Sequence, residues 1–242
     1  MRMLTRVHRW IWSDADRRAQ KLLRFGETEI DGGRDILRAA ELTSDPLLRR
    51  LYLVHATDEQ RHGQLFRRRA SALLQTLPVR AQRSIETIGT ASEAGHGLDD
   101  LEVAEESDGT MLAFLHVAEK AAAERFTIYR DALQHDPSTR AVFEEILHDE
   151  KFHMNYTLTQ LVRVSPERHR VKLWYARAKR LWNAYLRLAT ALAGVIGGAI
   201  LTVQYFLVLP LFAWLAKRAE RREPRGWTPI APGRNGSLTS QY

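Results

Sequence analysis

The chain has 242 residues, a formal net charge of +7 and no cysteine. The length admits one core of about 150–170 residues plus an appendage. The missing cysteine excludes disulfides, thiolate metal sites, a thiol nucleophile and a rubredoxin-type iron site.

Residues 1–18 contain no apolar run of signal-peptide length before charges resume, so a cleaved secretory signal is not expected. Helical periodicity dominates, and no strand-like alternation is bounded by turn residues. The expected fold class is therefore all-α. The first helix is expected to start at Ser13 as N-cap, with Asp14 and Asp16 in its first turn, and to run to Leu42. Thr43-Ser44-Asp45-Pro46 ends it and places Pro46 at the first position of the second helix. That helix is expected to reach Leu77 and stop at Pro78. Residues 79–107 carry Gly89, Gly95 and Gly97 among Ser, Thr and acidic residues. They read as a long crossover between helices two and three. The third helix is expected over Asp108–Gln134. His135-Asp136-Pro137-Ser138 restarts the chain into a fourth helix ending near Val164, and Ser165-Pro166-Glu167 opens a fifth segment.

Two of these helices carry the same pattern. Helix two contains Asp58-Glu59-Gln60-Arg61-His62, and helix four contains Asp149-Glu150-Lys151-Phe152-His153. Residues three apart share a helix face, so one Glu and one His can reach the same metal ion. Carboxylate oxygen with imidazole nitrogen suits iron or manganese. A lone E-x-x-H is weak, and Glu93 with His96 and Glu145 with His148 repeat the spacing. The first lies in the Gly-rich crossover and the second on the polar side of helix four. Glu150 and His153, by contrast, fall inside the apolar stripe Phe143, Ile146, Leu147, Met154, Leu158 and Leu161. Glu59 and His62 share the inward line Leu48, Tyr52, His55 and Phe66. Ionisable groups on a buried face are costly without a partner.

Helices one and three each add an inward acid. Glu29 lies on the line Leu22, Phe25, Gly33, Ile36 and Ala40, with Glu27 as the alternate. Glu119 lies on the line Leu112, Leu115, Ala122, Phe126 and Leu133, with Glu124 as the alternate. Each half thus reads as a hairpin carrying E…D-E-x-x-H, a weak internal repeat. His55, Tyr129 and Tyr156 read as packing residues.

From Leu188 to Ala216 no residue is charged. As a helix this stretch measures about 44 Å, against a hydrocarbon core of about 30 Å. Before it, Val171, Trp174, Ala178, Leu181, Tyr185 and Leu188 form an apolar line, flanked by Arg168, Arg170, Lys172, Arg177, Lys179 and Arg180. Such a helix suits an anionic bilayer surface. The expected organisation is a bundle over 1–164, a basic amphipathic helix over 165–187, a membrane span over 188–216 and a basic, disordered tail over 217–242. Lys217, Arg218, Arg221 and Arg222 make both flanks basic, so charge does not orient the span. A cytoplasmic bundle is expected from the absence of an export signal. The positive charge concentrates beside the span and matches no nucleic-acid motif.

Residues 13–164 resemble the ferritin-like di-iron carboxylate superfamily, at its rubrerythrin and demethoxyubiquinone hydroxylase end. The resemblance implies two iron ions (Fe2+/Fe3+), with manganese an admissible substitute. It implies Glu59 and Glu150 as bridging ligands, Glu29 and Glu119 as terminal ligands, and His62 and His153 bound to one ion each. Asp58 and Asp149 would orient the histidines, and no catalytic residue beyond the ligands is implied. It further implies dioxygen or peroxide as oxidant and a separate electron-donor protein. The tether favours oxidation or hydroxylation of a membrane lipid or a quinone-like substrate. The alternatives are a ferroxidase or rubrerythrin-like peroxidase, and a non-catalytic membrane adaptor. The pattern leaves the oligomeric state open.

Overall fold

The local signals for starting and stopping helices set the architecture. In the computed structural model, which describes residues 8, 10–77, 103 and 106–221, α1 spans Ala15–Leu42, α2 Pro46–Leu74, α3 Asp108–Ala132, α4 Pro137–Val164 and α5 His169–Val203. A π-helical turn, Gln204–Val208, precedes α6, Leu209–Glu220. No strand occurs among the described residues, so the fold is all-α. Of the crossover expected over 79–107, residues 79–102 and 104–105 lie outside the described residues, as does the tail beyond Arg221.

Each of the first four helices is capped by a side-chain oxygen. Asp14, Asp45, Ser107 and Asp136 accept from the backbone N–H groups of Arg17, Leu47 and Leu48, Thr110, and Thr139. Ser13 is not the cap of α1. The chain is already helical through Ser13, whose hydroxyl donates back to the Trp10 carbonyl (2.9 Å), and the extended backbone of Asp14 breaks the run. Helix α2 ends at Leu74, three residues short of expectation, because Gln75–Leu77 close as turns on Ser71, Leu73 and Leu74. Helix α3 likewise ends at Ala132, where the Leu133 N–H bonds back to the Arg130 carbonyl.

The chain divides into two units, Met1–Asn183 and Ala184–Tyr242. The first is a helical bundle. Helices α1 and α2 run antiparallel, with Gly26 against Gly63 and Gly33 against Ala56. Helices α3 and α4 are antiparallel too, with Phe126 against Phe143 and His116 bonded to the Met154 carbonyl. Between hairpins, α2 meets α4 through Arg61–Glu145 and Arg69–Asp136. Helix α1 meets α3 through Phe25–Phe126 and Thr43–Asp108.

The core has two apolar clusters. One gathers Ile36, Leu48, Tyr52, Met111, Leu115 and Leu161; the other gathers Trp12, Leu22, Phe66, Phe126, Phe143 and Ile146. Each of α1 to α4 passes from one to the other, and its inward acid falls between them. Leu158, expected on the inward stripe of α4, is exposed, and the buried face runs through Tyr156 and Thr157 to Leu161 instead. Helix α5 packs on the bundle through Leu173 and Ala176, not through its expected apolar line. Val171, Trp174 and Leu181 on that line stay exposed.

Close approach of α1 and α2 depends on Gly63. A Cβ there would stand 2.5 Å from Ile30 Cγ1 and 2.9 Å from the Gly26 carbonyl oxygen. The second neighbour is backbone and yields only if the helices part. Alanine favours a helix over glycine by about 1 kcal/mol, whereas overpacking costs about 1–3 kcal/mol. Gly63→Ala is therefore expected to lower stability by a net of up to about 2 kcal/mol, read as a lower thermal midpoint by circular dichroism. An unchanged or raised midpoint would show that the two helices adjust freely.

The second unit is helical over its described residues. Together α5, the π turn and α6 run from His169 to Glu220, and the most apolar stretch has a mean hydropathy of 2.0 with none of it buried. It is long and apolar enough to cross a membrane. Pro210 carries no N–H, and just before it the Leu209 N–H bonds the Gln204 carbonyl five residues back, forming the π turn. Thr190 and Thr202 return their hydroxyls to the carbonyls of Leu186 and Gly198, so neither hydroxyl needs water. Lys217 and Arg218, expected in a disordered tail, belong to α6.

Candidate metal centre

The two D-E-x-x-H segments face each other across α2 and α4, and α1 and α3 each bring one acid. Glu59, His62, Glu119, Glu150 and His153 are all buried, and Glu29 is half-buried. Ligand-type atoms of His55, Glu59, Glu119 and His153 lie within 4.8 Å of one another, as do those of Glu29, Glu59 and His62. Glu59 belongs to both groups. The alternates do not join: Glu27 is held by Arg67 through contacts of 2.7 and 2.8 Å, and Glu124 is exposed. Glu145 and His148 are exposed, and Glu145 pairs with Arg61 at 2.7 Å. Glu93 and His96 lie outside the described residues.

The orienting acids act crosswise. His62 Nε2–H donates to Asp149 of the opposite motif (3.0 Å), and His153 Nε2–H donates to Asp58 (3.2 Å). Arg61 pairs with both acids and so links the two motifs. The outer nitrogen of each imidazole is fixed, and the inner one, Nδ1, is turned into the cluster. His55 belongs to the cluster as well, which the sequence reading did not expect. Its ring stacks on His153 with centroids 3.7 Å apart, and its Nδ1 lies 2.6 Å from the Tyr156 hydroxyl. Its Nε2 lies 3.1 Å from Glu119 Oε1 and 3.3 Å from Glu59 Oε1.

Four carboxyl groups share this dry space. Burial, then the charge of Glu59, holds the Glu29 carboxyl well above its usual range. Burial, then Glu119 and Glu59, does the same to Glu150. Burial also works against ionised Glu59, but the proximity of Glu29, His55 and His62 outweighs it and pulls Glu59 well below the usual range. Burial disfavours the His55 cation, yet Glu119 and Glu59 prevail and push its pKa up to about 9. Asp58 is held low chiefly by the His153 bond; Asp149 is held low by His62 and Arg61 against its burial.

The donor set fits a metal. His55 Nε2, His62 Nδ1, His153 Nδ1, Glu59 Oε1 and both oxygens of Glu150 are buried without a hydrogen-bond partner. An unsatisfied buried polar group costs about 1–3 kcal/mol, more when charged. Folding so many toward one point, from separate helices, is explained if a cation binds there. The oxygen-rich set with imidazole could hold a metal ion. A cleft of about 410 Å³ lined by Ala39, Leu42, Thr43, Asp108 and Met111 shares no residue with the cluster. The chain matches no protein-family model, and no curated protein or solved structure matches it either.

Proposed function

We propose that the chain is a membrane-tethered oxidoreductase of the ferritin-like di-iron kind, which uses dioxygen to oxidise or hydroxylate a lipid- or quinone-like substrate. One observation carries the metal reading: buried, unpartnered nitrogen and oxygen atoms converge while the outer nitrogens of the same histidines are tied to Asp58 and Asp149. The helix directions support the ferritin-like part. Helix α2 is antiparallel to α4, and α4 to α3, so α2 and α3 run the same way, as in bundles of that kind.

Glu29, Glu59, Glu119, Glu150, His62 and His153 would hold two iron ions. When bound, such a pair supplies reduction of dioxygen coupled to two-electron oxidation of a second molecule. The chain's own residues prepare the place. Asp58 and Asp149 fix the histidine rings. Phe25, Phe66, Phe126 and Phe143 pack in mutual contact, one or two helical turns from the acids and histidines on the same four helices. Because the chain has no cysteine, electrons would come from a separate protein. The apolar helix and the exposed Val171, Trp174 and Leu181 support work at a bilayer. We place the bundle on the cytoplasmic side.

A second reading is ferroxidase or peroxidase activity, in which the co-substrate is small; the same buried donor set supports it. Iron content of detergent-purified full-length protein, wild type beside Glu59→Ala, tests the site. About two irons per chain in wild type and none in the variant are expected. No iron in wild type after anaerobic loading with iron(II) sinks the oxidoreductase reading and leaves a membrane adaptor. Oxygen uptake by loaded protein, with and without a quinone in detergent, then separates the two enzymatic readings.

A further inference from the structure

We propose that His55 is itself a metal ligand, so that the two metal positions are unequal. One would be faced by Glu29, Glu59 and His62, the other by Glu59, Glu119, His153 and His55. The inference rests on the di-iron reading and departs from its set of four Glu and two His.

The argument is the one that identifies His62 and His153. Each of those rings has an outer nitrogen tied to a protein acceptor and an inner nitrogen buried without a partner. His55 repeats the arrangement with its nitrogens exchanged. Nδ1 is tied at 2.6 Å to the Tyr156 hydroxyl of α4, and Nε2 is buried without a hydrogen-bond partner. Two carboxylate oxygens, from Glu119 and Glu59, stand 3.1 and 3.3 Å from that nitrogen. In metal-free protein a proton on that nitrogen faces the two carboxylates, and a bound cation would take the proton's place among the same three groups. The neutral tautomer with its proton on Nδ1 donates to Tyr156 Oη and leaves the Nε2 lone pair facing the cluster. Tyr156 is thus a positioning residue. The ring is fully buried and stacked on His153, so both nitrogens reach the same side of the centre. A position with two imidazoles is softer than one with a single imidazole, and the two should load unequally.

Anaerobic titration of chelator-treated full-length protein in detergent with cobalt(II) tests this. The readouts are the two binding steps and the proton NMR signals of paramagnetically shifted, exchangeable imidazole N–H groups. Three such signals are expected in wild type, from His55, His62 and His153. His55→Gln is expected to show two and to weaken one step by at least about tenfold. Tyr156→Phe is expected to keep three signals and weaken the same step by about tenfold. Two signals in wild type, or a His55→Gln protein that binds both ions as wild type does, overturns the proposal while the metal centre stands. No cobalt uptake by wild type removes the centre and His55 with it. The wild-type signal count decides even if a variant fails to fold.

Discussion

Glu150→Gln is expected to abolish metal binding and, in metal-free protein, to raise stability. Both oxygens of Glu150 are buried without a hydrogen-bond partner, and the charges of Glu119 and Glu59 face it. Metal-free, it is a buried acid among acids. An amide of nearly the same shape stays neutral at every pH and offers N–H donors to those carboxylates. The gain is expected to be about 1–3 kcal/mol, read as a higher thermal midpoint of chelated protein. With metal the order reverses, because binding stabilises only the folded chain that still has the ligand. A chelated Glu150→Gln protein that melts below chelated wild type would mean that Glu150 has a partner in the metal-free fold.

The same electrostatics set a pH signature. Glu29, Glu150 and His55 all have folded-state pKa values raised above their unfolded values. For each, the folded state holds the proton more tightly, so its contribution is present below the unfolded pKa and is lost as pH rises through the folded value. The acids held low, Asp58, Asp149 and Glu59 among them, act only below about pH 4.5. Between about pH 5 and 9, chelated wild type should therefore lose stability with rising pH. Metal-loaded protein should not, because its ligands must be deprotonated to bind. Glu150→Gln should flatten the chelated slope.

Much of this was legible because helices write their faces at spacings of three and four. Glu59 and His62, and Glu150 and His153, could be paired from spacing alone, and the apolar line through Leu22, Ile36 and Ala40 chose Glu29 over Glu27. What remained hidden depends on the register between helices. No sequence rule says that Asp149 holds His62 and Asp58 holds His153, because that exchange is set by how α2 slides along α4. His55 shows the limit best. Its position one turn before Glu59 was visible, but a histidine on an inward line is usually satisfied by its neighbours. Only Tyr156, 101 residues away in sequence, determines which nitrogen turns inward. Ser13 and Leu158 failed for local reasons. A helical stretch before Asp14 displaced the cap, and the buried face of α4 turned through Tyr156 and Thr157.

Asp136→Ala is expected to cost about 3–5 kcal/mol, a large share of the about 5–15 kcal/mol that holds a typical domain. Asp136 caps α4 by accepting from Thr139 N–H (3.0 Å) and from the Thr139 hydroxyl (2.6 Å). It also receives Arg69 of α2 at 2.8 and 3.0 Å and Arg18 of α1 at 3.3 Å. One carboxylate thus joins three helices, with Arg18 and Asp136 side chains only 10% and 9% exposed. Removing it leaves two guanidinium groups in a dry place, where an unpartnered charge costs more than the lost cap. Asp136→Asn keeps a capping oxygen and should lose about half as much by relieving only the charge. Burial opposes ionisation of Asp136, but Thr139 and Arg69 outweigh it and hold its pKa below the usual range. Its contribution is therefore present above the unfolded value and disappears as pH falls through the folded one. Wild type and Asp136→Ala should accordingly converge in stability below about pH 4. Thermal melts of chelated protein from pH 3 to 7 read both effects. A constant gap across that range would mean that the loss comes from the cap and not from the ion pairs.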